Sequence, residues 1–462
     1  MANDKSILGS WWLPHKEDSR TPGQLRYDER QGIVLELFGE THHDPDNVLV
    51  SHPFGADEGI TFFGIDTHSK KVSLHNCFLR DGQLSGSMAR SKYSVHTAFL
   101  GTHLASLDDL CIKAIRAGFT SLDEWVWISG FGIKSDPDQK EALIEYKLPQ
   151  DIAVDLYDSG KLTIGFSCTG ISTSYYQKEV NLSQAVYLKY VPIKPMSYFE
   201  ICRKMWMIEN FFALGIGSPI NESERIIESE MEKEIYGDKA VFPSIEVISC
   251  VKDWMSTSRV TSSPNMLFNL RDVEGDLQPY LNLWVRNYEG MKPVYHLYFS
   301  LANKTIIDQP NDLLNLTQAL ETFHRRTHDG KYLEENDYET LLAAIVCSVD
   351  KKYESWVKEK MRYSNELSLR KRLCELINEY CPDYTDYFGD TDRFISKVVD
   401  SRNWYIHYDP RSEKNAVKDV KEYVSLIAKL MVFLKICLLR QMGFGDEYVT
   451  KLIERHNPRG RH

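Results

Sequence analysis

The chain has 462 residues, of which 42% are hydrophobic and 12% aromatic, and its formal net charge is −11. This length predicts two or three domains, and this composition excludes a largely disordered or low-complexity chain. The acidic balance argues against a protein that coats long nucleic acid. Residues 311–462 nevertheless carry 25 basic and 25 acidic side chains, so the acidic excess lies before them. An enzyme that meets nucleic acid briefly needs only a local basic site, which this distribution permits.

Three features bear on the compartment. The first twenty residues lack the basic and apolar regions of a secretory signal. The longest apolar run, 424–439, is interrupted by Lys429 and Lys435, which indicates a buried helix rather than a membrane span. The nine cysteines show no paired spacing and fit a reducing cytosol. We therefore expect a cytoplasmic protein without a membrane partner.

The first part of the chain contains many short segments that alternate apolar and polar residues or are rich in β-branched and aromatic types. This pattern predicts a β-sandwich or a β-barrel, and we expect a sandwich-like, β-rich domain over residues 1–195. The predicted strands cover residues 33–38, 60–65, 72–79, 93–100, 122–128, 152–156, 162–166 and 185–191. One inserted helix is predicted over residues 107–117.

A change of period marks the middle of the chain. Between residues 197 and 214 apolar side chains recur at helical spacing, and Gly215 and Gly217 are expected to end this helix. The acidic stretch 222–234 is expected to be a solvated helix face or a loop. Strand signals return at 245–250, 281–285 and 294–300. Residues 196–309 therefore either complete the β-rich domain or form a small second one.

Beyond Pro310 the pattern becomes almost wholly helical. The predicted helices cover residues 311–326, 335–360, 368–380, 390–407, 414–442 and 446–456. Asn311 or Asp312 is the expected N-cap of the first of them. Short loops favour antiparallel neighbours, so a helical bundle is predicted over residues 310–462. The predicted fold class is α+β and multidomain, with an N-terminal β-rich domain followed by a C-terminal all-α bundle.

The most specific motif lies near the end of one predicted helix, where Arg402, Asn403 and His407 fall within six residues. Asn403 and His407 are four residues apart and would share one helix face. Arg402 lies about 100° around the helix from Asn403 and would flank the same groove. Pro410 disfavours helical geometry at Asp409, so the histidine is expected beside a loop that a substrate can reach.

These three side-chain types suffice for cleavage of RNA without a metal or another cofactor, because RNA carries its own nucleophile in the 2′-hydroxyl. An imidazole can move a proton near neutral pH. An arginine can neutralise charge that grows on the phosphoryl oxygens, and an asparagine can orient the reacting groups. The expected products are a 2′,3′-cyclic phosphate and a 5′-hydroxyl. One such histidine per chain leaves the second proton-transfer role vacant, and a symmetric dimer would fill it.

Less specific interpretations compete with this one. An arginine and a histidine in a helix more often form ordinary salt bridges, and aromatic neighbours such as Tyr408 are more often core residues than base-stacking platforms. His324 and His328 are four apart and could chelate a metal, but no third ligand lies nearby in the sequence. We therefore predict no metal site there. The sequence HHDPD at 42–46 likewise favours a polar turn over a metal cluster.

The motif is short, but it lies late in a predicted helical bundle, and there it resembles the R-polar-x(3–5)-H signature of HEPN ribonucleases. The wider chain looks like the ApeA family of anti-phage HEPN proteins. The segments that carry this wider resemblance are GSWWLP at 9–14 with the later 32–39, the helix at 197–217, and LETFHRR at 320–326. The resemblance thus covers nearly the whole chain.

The resemblance implies an endoribonuclease that works as a homodimer with a composite active site and causes abortive infection through RNA cleavage. Transfer RNA is the target suggested by related HEPN anticodon nucleases. In such a protein the N-terminal domain would sense a trigger of phage origin or hold the nuclease inactive, because unregulated RNA cleavage would kill the cell.

The segment that resembles the first HEPN helix supplies further candidates. Glu321 could hold the arginine or the histidine of the motif, and Arg325 and Arg326 could contact RNA phosphates. Tyr408 is a further candidate for an RNA contact. A related branch, the toxins of HEPN–nucleotidyltransferase pairs, ends its motif R-x4-H-x-Y. Here Asp409 occupies that last position and the tyrosine comes one residue early, which argues against control by nucleotide transfer onto it.

A hypothesis from a different class is a non-catalytic adaptor or nucleic-acid-binding protein whose helical bundle only dimerises. In that case Arg402 and His407 would be structural. Substitutions separate the two hypotheses, because an alanine at position 407 would lower the rate of a folded enzyme by about 10²–10⁴-fold. In an adaptor the same change would do nothing or would destabilise the fold.

Overall fold

The computed structural model of the chain describes residues 5–28, 32–39, 59–83, 90–135, 142–157, 159–170, 181–232, 234–236, 239–249, 260–273, 275–302 and 309–456. The chain forms two compact units. The first takes residues up to 213, 220–263 and 269–271, and the second takes 214–219, 264–268 and 272 onward. Residues 196–309 are therefore divided between the two units. The polar turn predicted at 42–46 lies outside the described residues.

The first unit is built from antiparallel strands. Those in the described residues are β1 (Lys5–Trp12), β2 (Thr21–Asp28), β3 (Gly32–Phe38), β4 (Ile60–Asp66), β5 (Lys71–Gln83), β6 (Arg90–Leu100), β7 (Ile112–Phe119), β8 (Phe131–Ser135), β9 (Ala142–Tyr146), β10 (Ile152–Leu156), β11 (Gly160–Thr169), β12 (Ser183–Pro192), β13 (Glu222–Ser229), β14 (Glu234–Tyr236), β15 (Lys239–Val241) and β16 (Ser244–Ser249). A short helix, α1 (Leu122–Val126), and a long one, α2 (Tyr198–Ile216), accompany them. The predicted β-rich domain is confirmed.

Six of these strands close into a barrel. The pairing order is β6-β3-β2-β1-β4-β5, and β5 pairs back onto β6. Alternate side chains point inward and fill the interior with the apolar residues Trp11, Leu25, Ile33, Leu35, Leu37, Phe62, Val72, Leu74, Cys77, Tyr93, Val95, Ala98 and Leu100. Gly64 lies against the Trp11 indole, where a β-carbon would overlap the ring. Of the two architectures that the sequence left open, the closed barrel is the one observed for these six strands.

The hydrogen-bonded sheet continues beyond the barrel into a second sheet. Residues 90–95 of β6 pair with β3, whereas residues 97–100 pair with β16, and β5 follows the other edge of β6 throughout. From β16 the sheet continues through β13, β7, β12, β11 and β10. One long strand thus belongs both to the barrel and to the second sheet.

Several predictions of secondary structure in this unit are wrong, and burial explains them. Residues 107–117 were expected to form a helix, but Leu107–Asp109 is a 3-10 turn and β7 follows it. Residues 122–128 were expected to form a strand, but Leu122, Trp125 and Val126 are buried at helical spacing in α1.

The acidic stretch 222–234 contains strand β13 instead of the predicted helix or loop. Its Ile227 is buried between the neighbouring strands β7 and β16, while Glu224 and Glu228 meet basic partners on β7 and on β12, the strand beyond β7. Glu224 accepts from Arg116 on β7 at 2.9 Å, and Glu228 accepts from Lys189 on β12 at 2.7 Å. Cross-strand pairing of opposite charges makes an acidic strand acceptable in the middle of a sheet.

The second unit is helical. Its helices are α3 (Gln278–Ala302), α4 (Gln309–Thr327), α5 (Glu335–Ser348), α6 (Glu354–Met361), α7 (Leu369–Tyr380), α8 (Thr385–Phe388), α9 (Thr391–His407), α10 (Pro410–Glu413), α11 (Val420–Gln441) and α12 (Asp446–His456). The core of the bundle comes from α4, α7, α9 and α11, each of which buries one apolar face. The predicted C-terminal helical bundle is confirmed.

Helix α3 replaces the two strands predicted at 281–285 and 294–300. Six of its buried side chains alternate three and four residues apart along one stripe, namely Leu281, Trp284, Tyr288, Met291, Tyr295 and Tyr298, and Val294 and Leu301 are buried beside them. The rings of Trp284 and Tyr295 stack at 4.2 Å between centroids. A seven-residue repeat of this kind buries one helix face, which outweighs the aromatic and β-branched composition that suggested strands.

Three helix boundaries also differ from prediction. The helix expected to start at Asn311 or Asp312 starts two residues earlier, so neither residue is its N-cap. The single helix expected over 335–360 is interrupted, because the backbone is extended at Val349 and Asp350 before a 3-10 turn. The helix expected from residue 414 starts at Val420, where the Asp419 carboxylate caps two backbone N–H groups.

The apolar run at 424–439 is the buried helix that the sequence predicted. It forms the greater part of α11, whose buried residues continue from Tyr423 to Leu439. Burial lowers the pKa of Lys435 on this helix, and Lys429 donates to the Phe388 carbonyl at 3.1 Å. None of the described helices combines the length and the apolar character that crossing a bilayer requires.

Candidate functional site

Helix α9 carries the Arg-Asn-His motif on its last two turns. Asp390 caps its start by accepting from the Arg393 N–H at 3.0 Å. Its buried face consists of Phe394, Ile395, Val398 and Ser401. Because these residues fix which side of α9 faces the core, Arg402 and Asn403 are half-buried at its margin and His407 is exposed at the helix end. The histidine is thus exposed at the end of the helix, beside a turn, as the sequence predicted.

The end of α9 is set by local backbone chemistry. Tyr408 adopts a left-handed conformation, with φ of 49°, and its N–H donates to the Trp404 carbonyl at 2.7 Å. Asp409 then caps the short helix α10 by accepting from the Arg411 N–H, and Pro410 occupies the first position of α10. The motif therefore lies beside a tight turn between two helices.

The last turns of α9 are fastened to the loop that precedes α11. The buried Ser401 hydroxyl accepts from the Val417 N–H at 2.9 Å, and the Tyr405 hydroxyl donates to the Val417 carbonyl at 2.9 Å. The Lys418 ammonium lies 5.0 Å from the centre of the Trp404 ring. The backbone N–H and the carbonyl of Val417 are thus both bound by side chains of α9 that lie one helical turn apart. These two hydrogen bonds fix the end of α9, which carries the motif.

Replacement of Ser401 by alanine should reduce the free energy of unfolding by about 1–3 kcal/mol, because it leaves the buried Val417 N–H without its acceptor. Urea unfolding of the full chain measures this, and faster hydrogen exchange at the Val417 amide would locate it. Ser425→Ala, at an exposed position on α11, is the matched control. An equal, small effect of both substitutions would contradict the fastening role of Ser401.

Within the motif the side chains interact directly. The Arg402 Nη1 donates to the Asn403 Oδ1 at 3.2 Å, so the amide holds one side of the guanidinium. Arg411 lowers the pKa of the Asp409 carboxyl through side-chain and backbone hydrogen bonds, and the charge of His407 adds to the same effect. The site thus has a positioned guanidinium, a positioned amide and an exposed imidazole close to a carboxylate. Such a set can bind a phosphate and move a proton.

The supporting residues on α4 do not join the motif by hydrogen bonds among the described residues. Glu321 accepts from Arg325 at 3.1 Å, and Arg325 also donates to Glu366 at 2.6 Å. Arg326 and Tyr408 are exposed. Glu321 and Arg325 thus lie on the predicted helix, but they pair with each other, and Glu321 does not hold the arginine or the histidine of the motif by a hydrogen bond.

A buried polar cluster on α4 and α7 was not found from the sequence. His324 is fully buried, its Nδ1 accepts from Arg372 at 3.0 Å, and its Nε2 lies 2.8 Å from Glu375. Because arginine can only donate, this pattern makes His324 a neutral ring that donates from Nε2. His328 contacts Glu379 at 2.7 Å and stacks on His324. Both histidines thus have protein partners, and no cluster of three metal-ligating side chains occurs among the described residues.

Burial lowers the pKa of His324, and the nearby Arg372 adds to this, although the hydrogen bond to Glu375 opposes it. His324 therefore binds a proton more weakly in the folded chain than in the unfolded chain. The contribution of the neutral His324 to the free energy of unfolding should be fully present above the ordinary histidine pKa of about 6.5, and it should be lost as the pH falls below that value. Urea unfolding between pH ~7.5 and ~5 tests this. The slope should be shallower in His324→Gln, and identical slopes would contradict the assignment.

Comparison with known protein families covers both units. Residues 6–284 match the family described as ApeA N-terminal domain 1. Residues 314–448, which include the whole Arg-Asn-His motif, match the family described as Apea-like HEPN. The chain belongs to the ApeA family. The resemblance inferred from the sequence is thereby confirmed, and comparison with curated proteins and with solved structures gave no match.

Membership of the ApeA family gives the helical unit a general function. HEPN domains are typically ribonucleases, they act on RNA, and they commonly dimerise. At the level of the family this supports a nuclease-type role in anti-phage defence.

Proposed function

We propose that this chain is an ApeA-type HEPN endoribonuclease that cleaves RNA through attack of the substrate's own 2′-hydroxyl. One observation carries the proposal. Arg402, Asn403 and His407 lie together on the last two turns of α9, with the guanidinium held by the amide and the imidazole exposed beside a turn. The position of this group inside the HEPN region supports the same conclusion.

In the proposed reaction His407 accepts the proton of the 2′-hydroxyl. The 2′-oxygen bonds to phosphorus, the bond from phosphorus to the 5′-oxygen breaks, and the leaving 5′-oxygen takes a proton from a second, protonated imidazole, which we assign to His407 of a second copy of the chain. Arg402 neutralises the charge that grows on the non-bridging phosphoryl oxygens, and Asn403 orients its guanidinium. RNA and these side chains supply every reacting atom, so the reaction needs no cofactor. Its products are a 2′,3′-cyclic phosphate and a 5′-hydroxyl.

We also propose that the active species is a homodimer with a composite site, because two proton transfers occur and each chain offers one histidine in the motif. Mixing tests this. When inactive His407→Ala chains are exchanged into wild type in increasing amounts, a composite site predicts that activity falls more steeply than the wild-type fraction. A strictly proportional fall, or a monomer by light scattering, would contradict the shared site.

Further contacts with RNA are proposed for the exposed Arg326 and Tyr408. Glu321 and Arg325 would act one step away, since their mutual pairing holds the α4 surface on which Arg326 lies. Transfer RNA is the target that we favour, by analogy with related HEPN nucleases. The enzyme would act in the cytoplasm, where the barrel-containing unit would respond to a trigger of phage origin and release the nuclease for abortive infection.

The deciding experiment incubates the purified full chain with total cellular RNA in excess EDTA, alongside the Arg402→Ala/His407→Ala variant. Mapping of the fragment ends identifies both the chemistry and the target. Discrete cuts by wild type alone, leaving 2′,3′-cyclic phosphate and 5′-hydroxyl ends, are expected. The assay is repeated with extract from phage-infected cells, to supply a trigger if one is needed. Intact RNA under both conditions would favour the non-catalytic adaptor.

A further inference from the structure

The segment between α4 and α7 leaves most of its side chains outside the core. It is closed at its base by an antiparallel bridge from Lys331 to Glu366, next to which the Tyr332 N–H donates to the Asn365 carbonyl at 2.9 Å. Within the segment α5 buries Tyr338 and α6 buries Val357, and the remaining side chains of both helices are half-buried or exposed. The two helices therefore present a surface that the folding of this chain does not use.

The part of this surface at residues 351–363, on and around α6, combines exposed aromatic rings with positive charge, whereas α5 carries three acidic side chains and no basic one. Residues 351–363 contain five basic and two acidic side chains, in a chain whose overall charge is −11. Tyr353, Trp356 and Tyr363 are 52%, 60% and 66% exposed. Large aromatic side chains usually bury most of their area. Three of them exposed together, among cations, need a different explanation from core packing.

The rings follow one another at helical spacing. Residues 353, 356, 360 and 363 are separated by intervals of three and four; Trp356 and Lys360 lie on α6, while Tyr353 and Tyr363 lie in the turns just before and after it, and the backbone is helical at Tyr353 and at Arg362. Tyr353, Trp356, Lys360 and Tyr363 thus form a single face, which we call the aromatic-basic face.

Three of the five positive charges of residues 351–363 are not paired with a carboxylate in the part of the chain that the structure describes. Lys352 lies 4.7 Å from the ring centre of Tyr353 but also 3.7 Å from the Asp350 carboxylate. Arg362 lies 5.5 Å from the ring centre of Tyr363. Lys358 pairs with Glu354 at 2.6 Å. In contrast, Lys351, Lys360 and Arg362 form no ion pair with a carboxylate among the described residues. Three cations therefore accompany the rings without a protein counter-charge.

We propose that the aromatic-basic face binds unpaired RNA, with bases stacked on its rings and phosphates contacted by its cations. Stacking on aromatic side chains is available only to bases that are free of a duplex, because paired bases are already stacked on their neighbours. The inference rests on the proposed function and refines it. The substrate presents a single-stranded segment, such as a loop, to a surface outside the Arg-Asn-His motif.

The composition favours RNA over a second protein as the occupant. The buried centre of a protein interface is depleted in lysine, whereas here Lys360 lies between Trp356 and Tyr363 on the same face. Single-strand binding surfaces combine both residue types, because the cation meets the backbone while the ring meets the base. Docking of a second copy on this face is therefore treated as an alternative outcome of the test.

The test measures binding by the full chain in the inactive Arg402→Ala/His407→Ala background, so that RNA is not consumed. The probe is a fluorescently labelled, unstructured RNA of ~12 nucleotides, followed by anisotropy, with a blunt duplex for comparison. Added Trp356→Ala or Tyr363→Ala should weaken single-strand binding by about 5- to 100-fold, and Trp356→Phe should restore most of it. Tyr157→Ala, at a tyrosine that is 58% exposed in the first unit, is the matched control and should have no effect.

Charge and assembly are tested in parallel. Changing Lys351, Lys360 and Arg362 to glutamine should reduce the salt dependence of binding, with a log–log slope smaller by about 2. Unchanged affinity in Trp356→Ala and Tyr363→Ala, stronger binding of the duplex, or no RNA binding at all would overturn the proposal. A change of mass in light scattering with unaltered RNA affinity would also overturn it and would assign the face to protein contact.

The outcome separates this inference from the proposed nuclease. If RNA is bound through the face in the inactive background but is left intact by the wild-type chain both with and without extract from phage-infected cells, the nuclease proposal fails and the aromatic-basic face stands. If the wild-type chain cleaves RNA but Trp356→Ala leaves the RNA affinity unchanged, the aromatic-basic face is not the RNA-binding surface and the nuclease proposal stands.

Discussion

Replacement of His407 by alanine should lower the rate of RNA cleavage by about 10²–10⁴-fold while the protein stays folded. The imidazole is exposed at the end of α9, so its loss leaves no cavity in the core. What it removes is the group that, in the proposed reaction, takes up the proton of the 2′-hydroxyl. Single-turnover cleavage of the RNA identified in total cellular RNA measures the effect, and thermal unfolding verifies the fold.

Two controls make the His407 result specific. His68→Ala, at an exposed histidine of the first unit, should cleave at the wild-type rate. Added imidazole should restore part of the activity of His407→Ala, because a small base can enter the space of the missing ring. A wild-type rate in His407→Ala would count against catalysis. Lost activity together with lower stability and no rescue would indicate a structural role.

Replacement of Arg402 by alanine should lower the rate of the chemical step by about 10²–10³-fold, the usual effect of removing one preorganised group that stabilises the transition state. Arg402→Lys should recover only part of the rate, because lysine keeps the charge but not the planar, two-pronged donor. The change should fall mainly on kcat, since the guanidinium meets charge that grows during the reaction.

The matched control for Arg402 lies on the same helix. Arg393→Ala removes an equal charge at an exposed position nine residues earlier on α9, roughly 13 Å along the axis. It should leave kcat near the wild-type value. Equal losses in both variants would mean that α9 acts through its general positive charge. A loss confined to KM in Arg402→Ala would restrict that residue to binding.

The motif could be predicted from the sequence because its chemistry is local. Arg402, Asn403 and His407 fall within six residues, and Pro410 marks the end of the helix that carries them. The parts that hold this helix could not be predicted in the same way. The contact of Ser401 with Val417 spans sixteen residues, and nothing in either local sequence distinguishes that serine from others.

The difference between local patterns and contacts between distant residues also explains which parts of the fold were predicted. Strands of the barrel show alternation because each has one face in the interior, and most of them were predicted. Helix α3 was missed although its buried side chains follow a regular repeat, because the aromatic and β-branched residues at 281–285 and 294–300 suggested strands. The closure of the barrel depends on the pairing of β5 with β6 and of β1 with β4. Such pairings between strands are not encoded in the pattern of any single strand.

The position of β6 in two sheets has a consequence for folding. A slip of this strand by one residue would turn Tyr93 and Val95 out of the barrel and would misalign residues 97–100 against β16 at the same moment. An error of register therefore costs burial in both places at once. The barrel and the second sheet should accordingly gain and lose their structure together, and the many pairings between distant residues should make that step slow.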